Sequence, residues 1–310
     1  MESFLVELPD MKVLSISGPQ RNEYLHGQIT VDTKSFDSAH ARIGAHCDFK
    51  GKMWSIFFLT QFEESYHLLM PSDSAEQSFI QFKKYGVFSK VDIQTLDSNW
   101  HVLGGAGQQL KHDLYALFPD LRDTHLSHCA NEFGEVITFN DDNLRFLLTL
   151  NAMGYERMQK IASSYKIKTP NAWKMLEISA GIGLLASPCI AEFVPQMFNL
   201  QALNGIDFNK GCYMGQEVVA RTKFLGKNKR ALYILEANSS ISADIEAGAT
   251  LEKAIDENWR RGGTVVESAS MDNKTLILAV LANDTEVGDV LRLKSSLDAF
   301  TVKALPYSLS

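Results

Sequence analysis

The last third of the chain consists of short β-rich runs that are separated by turns. Four such runs lie at residues 229–236, 263–267, 276–281 and 290–293. Runs of this length that recur with turns between them are typical of a small antiparallel barrel or sandwich. We therefore predict a separate C-terminal β domain at residues 227–310.

Region 1–226 mixes helices and strands without a regular strand–helix–strand alternation. That mixture favours an α+β fold with mainly antiparallel sheets. One helix should begin at Thr169-Pro170, because proline suits the first helical position. Trp173, Leu176 and Ala180 then share one face of this helix.

A second helix is predicted to begin near Asp73 and to run to Tyr85. Asp73 and Glu76 have the spacing of a capping box, and Gly86 is a suitable end for the helix. The apolar residues within 87–93 then predict a strand.

The charge and hydropathy of the chain restrict its partners. The formal net charge is −7, so tight nonspecific binding of nucleic acid is not expected, although local basic patches stay open as contacts. The N-terminus lacks the basic and apolar segments of a secretory signal. No run approaches the roughly 20 apolar residues of a membrane span. We expect a cytoplasmic protein that does not enter a membrane.

The four cysteines are far apart in sequence. They are Cys47, Cys129, Cys189 and Cys212, and no CxxC pair occurs among them. This spacing predicts neither a zinc site nor a dithiol redox motif, and it fits a reducing compartment. A single cysteine cannot hold an iron–sulfur cluster, which usually needs four ligands. We expect no metal site, and we expect Cys47, Cys129 and Cys189 to be packing residues.

Residues 210–217 place several polar side chains around two glycines. These side chains belong to Lys210, Cys212, Tyr213, Gln216 and Glu217. The residues that follow are expected to form a helix, whose N-terminus together with Lys210 would favour a thiolate at Cys212. The alternative is that Cys212 is a small packing residue and that Gln216 and Glu217 only cap the helix.

The same eight residues resemble the signature of the YgfZ family, the folate-binding tRNA-modifying proteins. The resemblance extends over essentially the whole chain. Its further blocks are Leu25-x-Gly27-Gln28-x-Thr30-x-Asp32, His46-Cys47-Asp48-x-Lys50-Gly51-Lys52-Met53-Trp54-Ser55, Lys84-Tyr85-x-Val87-Phe88-Ser89-Lys90-Val91, Asn199-Leu200-Gln201-Ala202-Leu203, Asn258-Trp259-Arg260-Arg261 and Leu305-Pro306-Tyr307-Ser308-Leu309.

The resemblance implies an aminomethyltransferase-like fold, with two α+β lobes and a C-terminal β-barrel around a folate channel. It implies tetrahydrofolate or a derivative as the bound cofactor. It also implies a role in thiomethylation of certain tRNAs, exercised by supporting iron–sulfur enzymes such as the methylthiotransferase MiaB through indirect or transient contact. In this family the cysteine that matches Cys212 is the functional thiol.

Trp173 matches a tryptophan that the family uses at its folate site. Its indole offers a flat face to a pterin ring, although helical periodicity alone makes it a core residue. Two residues depart from the family pattern. Met11 stands where the family has a second folate tryptophan, and Ser179 stands where relatives tend to carry an acid. A hydroxyl replaces a carboxylate poorly as an acceptor for pterin N–H groups, so a weaker or altered folate site is expected.

Three functional classes stay open on the sequence. The first is the folate-binding accessory protein just described. The second is a folate-dependent one-carbon transferase, but Lys50-Gly51-Lys52 leads into Met53-Trp54 where the aminomethyltransferase has paired aspartates. The third is a folate-sensing scaffold in which Cys212 is structural. Whether the protein is an enzyme is therefore not fixed by its residues.

The segment Asn258-Trp259-Arg260-Arg261 offers one local contact to RNA. Indole and guanidinium groups both stack on bases. The alternative is an exposed turn whose tryptophan packs on the C-terminal domain.

Overall fold

A computed structural model describes residues 2–224, 226, 228–237, 245–255 and 258–309. The elements that precede the C-terminal domain are, in chain order, β1 (Phe4–Glu7), β2 (Met11–Ser17), α1 (Arg21–His26), β3 (Arg42–Cys47), β4 (Met53–Phe62), β5 (Ser65–Pro71), α2 (Ser72–Tyr85), β6 (Asp92–Thr95), β7 (His101–Ala106), α3 (Gln108–Leu117), β8 (Ser127–Asn131), β9 (Gly134–Asn140), β10 (Leu144–Leu150), α4 (Ala152–Ala162), α5 (Pro170–Ser179), a short 3₁₀ helix (Pro195–Phe198) and α6 (Gln216–Phe224). None of the helices in these ranges is long and apolar enough to cross a membrane.

Two five-stranded sheets organise the region before the C-terminal domain. One has the strand order β1-β7-β10-β9-β8 and the other the order β3-β4-β5-β2-β6. All neighbouring strands in both sheets run antiparallel. The predicted α+β fold with antiparallel sheets is confirmed.

A buried hydrogen-bond network joins the two sheets. Glu135 on β9 accepts hydrogen bonds from Thr60 Oγ1 at 2.7 Å, and its oxygens lie 2.7 Å from His67 Nδ1 and 2.9 Å from His128 Nε2. Thr60 and His67 belong to the other sheet. A buried charge is stable only when it is paired and hydrogen-bonded. Separating the two sheets would take Glu135 away from Thr60 and His67, so this network holds the two lobes together.

The C-terminal domain is a closed β-barrel with the strand order β11-β14-β13-β12-β15-β16. The predicted β domain is therefore confirmed as a barrel. The predicted boundary at 226/227 adjoins residues 225 and 227, which lie outside the described residues, and it stays a prediction. The barrel strands are β11 (Arg230–Ala237), β12 (Thr250–Ile255), β13 (Asn258–Met271), β14 (Lys274–Ala282), β15 (Val290–Leu293) and β16 (Ala299–Lys303).

Helix α5 packs between the two lobes and the barrel. It begins at Pro170, as predicted, and its buried residues include Trp173, Leu176 and Ile178. These side chains belong to a core cluster that also contains residues of both sheets and of the barrel. The predicted apolar face of α5 thus packs at the junction of all three parts.

The predicted capping box at the start of α2 is wrong. The helix begins at Ser72, so Asp73 is already inside its first turn, and Pro71 at the cap position makes no side-chain hydrogen bond. The Asp73 carboxylate instead accepts the backbone N–H of Ser187 at 3.3 Å. The predicted end of the helix at Gly86 is confirmed, since the N–H of Gly86 bonds to the carbonyl of Phe82.

The strand predicted at residues 87–93 is also wrong for most of its length. Residues 87–90 form turns and bends, and β6 begins only at Asp92. The backbone of Lys90 bonds both to the backbone N–H and to the side chain of Gln20. The segment is therefore held by the loop before α1 instead of by a neighbouring strand.

Candidate functional site

The cysteine loop, residues 210–215, is fastened to the N-terminal segment by Lys210. This lysine is buried, and its ammonium donates at 2.7 Å to each of three backbone carbonyls, those of His26, Ile29 and Val31. An ammonium carries three protons, so all of its donors are used. Burial lowers the pKa of Lys210 to about 8. Lys210 therefore positions the loop through its hydrogen bonds.

The turn that contains Asp48 packs against the other side of the cysteine loop. Gly215 has a φ of +83°, and a Cβ atom there would lie 2.5 Å from the carbonyl oxygen of Asp48. Gly51 has a φ of +72°, and its Cβ atom would lie 3.0 Å from Val218 on α6. Residues with side chains fit neither the backbone angle nor the space. The glycines of these two distant sequence blocks thus allow the blocks to pack together.

Cys212 is exposed on this loop, shortly before α6 begins at Gln216. It is therefore not a core packing residue. Tyr213 is buried, and burial raises its pKa. Gln216 is half-buried at the first position of the helix. Glu217 is exposed and pairs with Arg221 at 2.5 Å one turn further along the helix.

His26 contacts the cysteine loop, although no sequence motif predicted this contact. A Cβ atom on Gly211, the residue before Cys212, would lie 3.1 Å from Nε2 of His26. Nδ1 of the same ring lies 3.1 Å from Oδ1 of Asp32. Burial and the charge of Lys210 lower the pKa of His26, which favours a neutral imidazole beside the loop. His26 and Gly211 are far apart in the sequence, so only the fold brings the imidazole to the cysteine loop.

A second location, the Trp173 cavity, has a volume of about 570 Å³. It lies where residues 8–11 and the start of α2 face α5 and barrel strand β13. Trp173 and Met11, the two residues predicted to contact folate, both line it. Among the described residues, none of the five predicted in the cysteine motif does so. The structure thus divides the predicted site residues between two places.

The indole of Trp173 is fixed in place by the residues packed around it. It is only 5% exposed. A Cβ atom on Gly104 would lie 2.4 Å from the indole, so only glycine allows the ring to lie this close to the β7 backbone. The ring of Phe139 meets it edge-on with centroids 6.2 Å apart. A fixed aromatic surface at a cavity of this size suits a planar heterocycle.

Glu177 lines the Trp173 cavity one helical turn after Trp173. Its Oε1 accepts a hydrogen bond from Nε of Arg145 at 2.8 Å, and Arg145 also binds Asp141 through two bonds of 2.7 Å. Its Oε2 is buried without a hydrogen-bond partner in the described part of the chain. Burial raises the pKa of Glu177, although Arg145 opposes this. A buried carboxylate oxygen without a donor indicates a place for a donor-bearing ligand.

Ser179, the expected counterpart of the family acid, does not line the cavity. Its hydroxyl donates to the carbonyl of Met175 at 2.7 Å. Positions 177 and 179 lie about 200° apart around a helix, so the acid of this chain stands on the face that carries Trp173. The spacing of four residues between Trp173 and Glu177 was the signal that could have identified Glu177 from the sequence.

Glu267 faces the same cavity from the barrel. The pairing of β13 with β14 shifts register between Val265 and Glu267, and a β-bulge of this kind redirects side chains. Glu267 is half-buried and lines the cavity. Burial raises its pKa to about 7, Lys174 opposes the rise, and the charge of Glu177 adds to it. The charge of Glu177 therefore disfavours ionisation of Glu267.

The other cysteines are free thiols. Cys47 and Cys189 are buried and belong to the core, and Cys129 is half-buried. Within the described ranges, no group of three or more His, Cys, Asp or Glu residues is arranged to hold a metal ion.

Comparison with known proteins agrees with the barrel and identifies relatives over nearly the whole chain. Residues 228–296 match the family model described as YgfZ, beta-barrel domain. The chain is 35% identical to the tRNA-modifying protein YgfZ of Colwellia psychrerythraea (strain 34H), over 99% of this chain and 94% of that protein. It is 37% identical to the tRNA-modifying protein YgfZ of Enterobacter sp. (strain 638), over 98% of this chain and 93% of that protein.

The fold is also that of a known solved structure. The aminomethyltransferase T of the glycine cleavage system from Bartonella henselae superimposes with a TM-score of 0.75, covering 98% of this chain and 86% of that one. The sequence identity is 15%, so this likeness concerns the fold. It confirms the predicted aminomethyltransferase-like architecture.

Proposed function

Because the chain belongs to the YgfZ family of tRNA-modifying proteins, we propose that it binds a folate and is required for the modification of some tRNAs. The observation that carries the folate part is the Trp173 cavity. It offers a fixed indole, a flexible apolar side chain from Met11 and an unpaired buried oxygen of Glu177. These groups fit a pterin ring, which is flat and carries N–H donors at one edge.

The modification proposed is thiomethylation, to which this protein contributes indirectly. It supports the synthesis, repair or activity of iron–sulfur enzymes such as MiaB in the cytoplasm. Cys212 supports this role because its thiol is exposed on a loop that Lys210 holds in place. A single thiol cannot hold a cluster, so we propose that Cys212 works in transient contact with a partner enzyme.

The aminomethyltransferase fold favours a second candidate, a folate-dependent one-carbon transferase with another substrate. The segment after Lys50-Gly51-Lys52 argues against aminomethyl transfer itself. Met53 and Trp54, which stand in place of the acidic pair, are buried in β4. A third candidate, a folate-sensing scaffold with a structural cysteine, is less compatible with the exposure of Cys212.

Tight direct binding of tRNA is not part of the proposal. Trp259 is 39% exposed, but the guanidinium of Arg292 lies 4.0 Å from the centre of its ring. Arg292 is in turn paired with Glu252 at 2.9 Å. The indole is thus already stacked within the barrel, which supports a packing role over a base-stacking role.

The test is mass spectrometry of tRNA nucleosides from cells that lack this protein. The cells are complemented at equal expression with the wild-type protein, with Cys212→Ser, or with Cys129→Ser as a matched control that removes another cysteine. We expect thiomethylated adenosine to be lost in the deletion strain and restored by the wild type and by Cys129→Ser. Cys212→Ser should not restore it.

The other outcomes separate the candidates. Equal restoration by Cys212→Ser would remove the thiol from the function and favour the scaffold. Unchanged nucleosides in the deletion strain would contradict the tRNA role. A purified protein that converts one-carbon tetrahydrofolates with turnover would favour the transferase.

A further inference from the structure

We propose that the Trp173 cavity selects a cationic folate, one whose one-carbon unit bridges N5 and N10 as the methenyl form. This inference rests on the proposed folate binding and names the form that is bound. It follows from two carboxyl groups, Glu177 and Glu267, that face one aromatic cavity from different parts of the fold.

The first carboxyl group is fixed and incompletely paired. The side chain of Glu177 is 6% exposed, and Arg145 occupies only its Oε1. Oε2 has no hydrogen-bond partner in the described residues. Arg145 also binds Asp141, which takes up part of its positive charge. Glu177 lines the cavity with this oxygen unpaired, so the oxygen can meet a positively charged group there.

The second carboxyl group comes from the barrel. The bulge in β13 places Glu267 at the cavity, where the charge of Glu177 disfavours its ionisation. Lys174 is the basic residue among those that line the cavity. Asp10 and Asp73 lie at the rim, but both are exposed and solvent screens their charges. Like charges held together in a partly enclosed space attract a cation strongly.

The aromatic wall favours the same kind of ligand. A cation near an indole is stabilised by the quadrupole of the ring. A methenyl folate carries its positive charge within the ring system beside the pterin. Stacking on Trp173 would bring that charge over the indole and between the carboxylates. A 5-formyl folate carries the same one-carbon unit at the same oxidation level, but its ring system is neutral.

The experiment compares the binding of 5,10-methenyltetrahydrofolate and 5-formyltetrahydrofolate to the full-length protein by rapid ultrafiltration at neutral pH. Both ligands carry the same anionic glutamate tail, so repulsion of the tail cancels in the ratio of affinities. The variants are Glu177→Gln and Glu267→Gln. The control is Asp10→Asn, which removes an exposed charge at the rim of the same cavity.

We expect the wild-type protein to bind the methenyl form about tenfold more tightly than the formyl form. The ratio should fall towards one in both glutamine variants and should change less than about twofold in Asp10→Asn, whose charge is screened by solvent. Glutamine at 177 can still accept from Arg145, so this variant is expected to fold, and its melting temperature checks this.

Each contrary result has a separate meaning. Equal affinity of the wild type for the two forms would overturn this inference but leave folate binding standing. A preference that survives in both glutamine variants would also overturn it. If neither form binds to the wild type, the folate part of the proposed function fails as well.

Discussion

The Trp173 cavity and the cysteine loop are built in opposite ways. The cavity is enclosed by the lobes and the barrel, and its central side chain is 5% exposed. The cysteine loop presents Cys212 to solvent, and its stability comes from the hydrogen bonds of Lys210 beneath it. Ligand binding requires enclosure, whereas a thiol that meets a partner protein requires access. We therefore expect substitutions at the cavity to destabilise the fold more than substitutions in the cysteine loop.

The largest effect on stability is expected at the cavity. Trp173→Ala should lower the free energy of unfolding by about 4 kcal/mol, because it removes a large buried ring and leaves a void. It should also abolish tetrahydrofolate binding. Denaturant unfolding and a ligand titration measure the two effects. Trp259→Ala is the control, and it should cost about 1 kcal/mol or less, since Trp259 is partly exposed. Retained folate affinity in Trp173→Ala would place folate elsewhere.

The buried network between the lobes should give the next largest effect on stability. It belongs neither to the Trp173 cavity nor to the cysteine loop. Glu135→Gln should lower the free energy of unfolding by about 3 kcal/mol, because it removes the charge that pairs with two buried histidines. Urea unfolding measures this, with Glu132→Gln as an exposed control on the same hairpin. A loss of folate binding without a loss of stability would contradict a purely structural role.

The difference in stability between the wild type and Glu135→Gln should depend on pH in a defined direction. The nearby histidines lower the pKa of Glu135 despite its burial, so its contribution is present above its ordinary pKa of 4.5 and is lost as the pH falls towards its lowered native value. Despite its burial, His128 has a raised pKa because it bonds to Glu135. Its contribution is fully present below 6.5 and is lost as the pH rises through the raised value. The wild type should exceed Glu135→Gln most between pH 4.5 and 6.5. A difference that grows steadily above this window would contradict the assignment.

The lysine beneath the cysteine loop should give a smaller effect on stability. Lys210→Met should cost about 2 kcal/mol, because three carbonyls lose a charged donor. Restoration of thiomethylated adenosine should fail, while tetrahydrofolate affinity stays unchanged. Lys50→Met removes an exposed lysine near the same loop. It should change neither the free energy of unfolding nor the restoration of thiomethylated adenosine. Loss of folate affinity in Lys210→Met would mean that the two regions are coupled.

The smallest effect on stability is expected at the thiol itself. Cys212→Ser should change the free energy of unfolding by less than about 0.5 kcal/mol, because the side chain is exposed. Chemical unfolding measures this, and the nucleoside assay shows whether function is lost at the same time. A large destabilisation would instead show that the thiol is structural.

The sequence predicted what local pattern controls. Turn-separated β runs located the barrel, and helical spacing located Trp173 on the buried face of α5. The glycines and polar residues of the 210–217 block placed Cys212 in a turn just before a helix. Each of these features depends on residues that are close together along the chain.

The remaining features depend on contacts between distant residues. Lys210 reaches the carbonyls of residues 26–31 only after folding. The bulge that turns Glu267 towards the cavity is a property of strand pairing. Asp73 resembled a capping residue, but α2 begins before it because the preceding β5 ends directly at Pro71. No local pattern distinguishes these cases from their alternatives.

The most direct test of the separation between the two regions is a crystal structure of the protein with tetrahydrofolate. We predict that the pterin lies against Trp173, with its N–H donors within hydrogen-bond distance of Oε2 of Glu177, and that the ligand does not touch Cys212. A folate bound against the cysteine loop, with the Trp173 cavity free of ligand, would contradict this account.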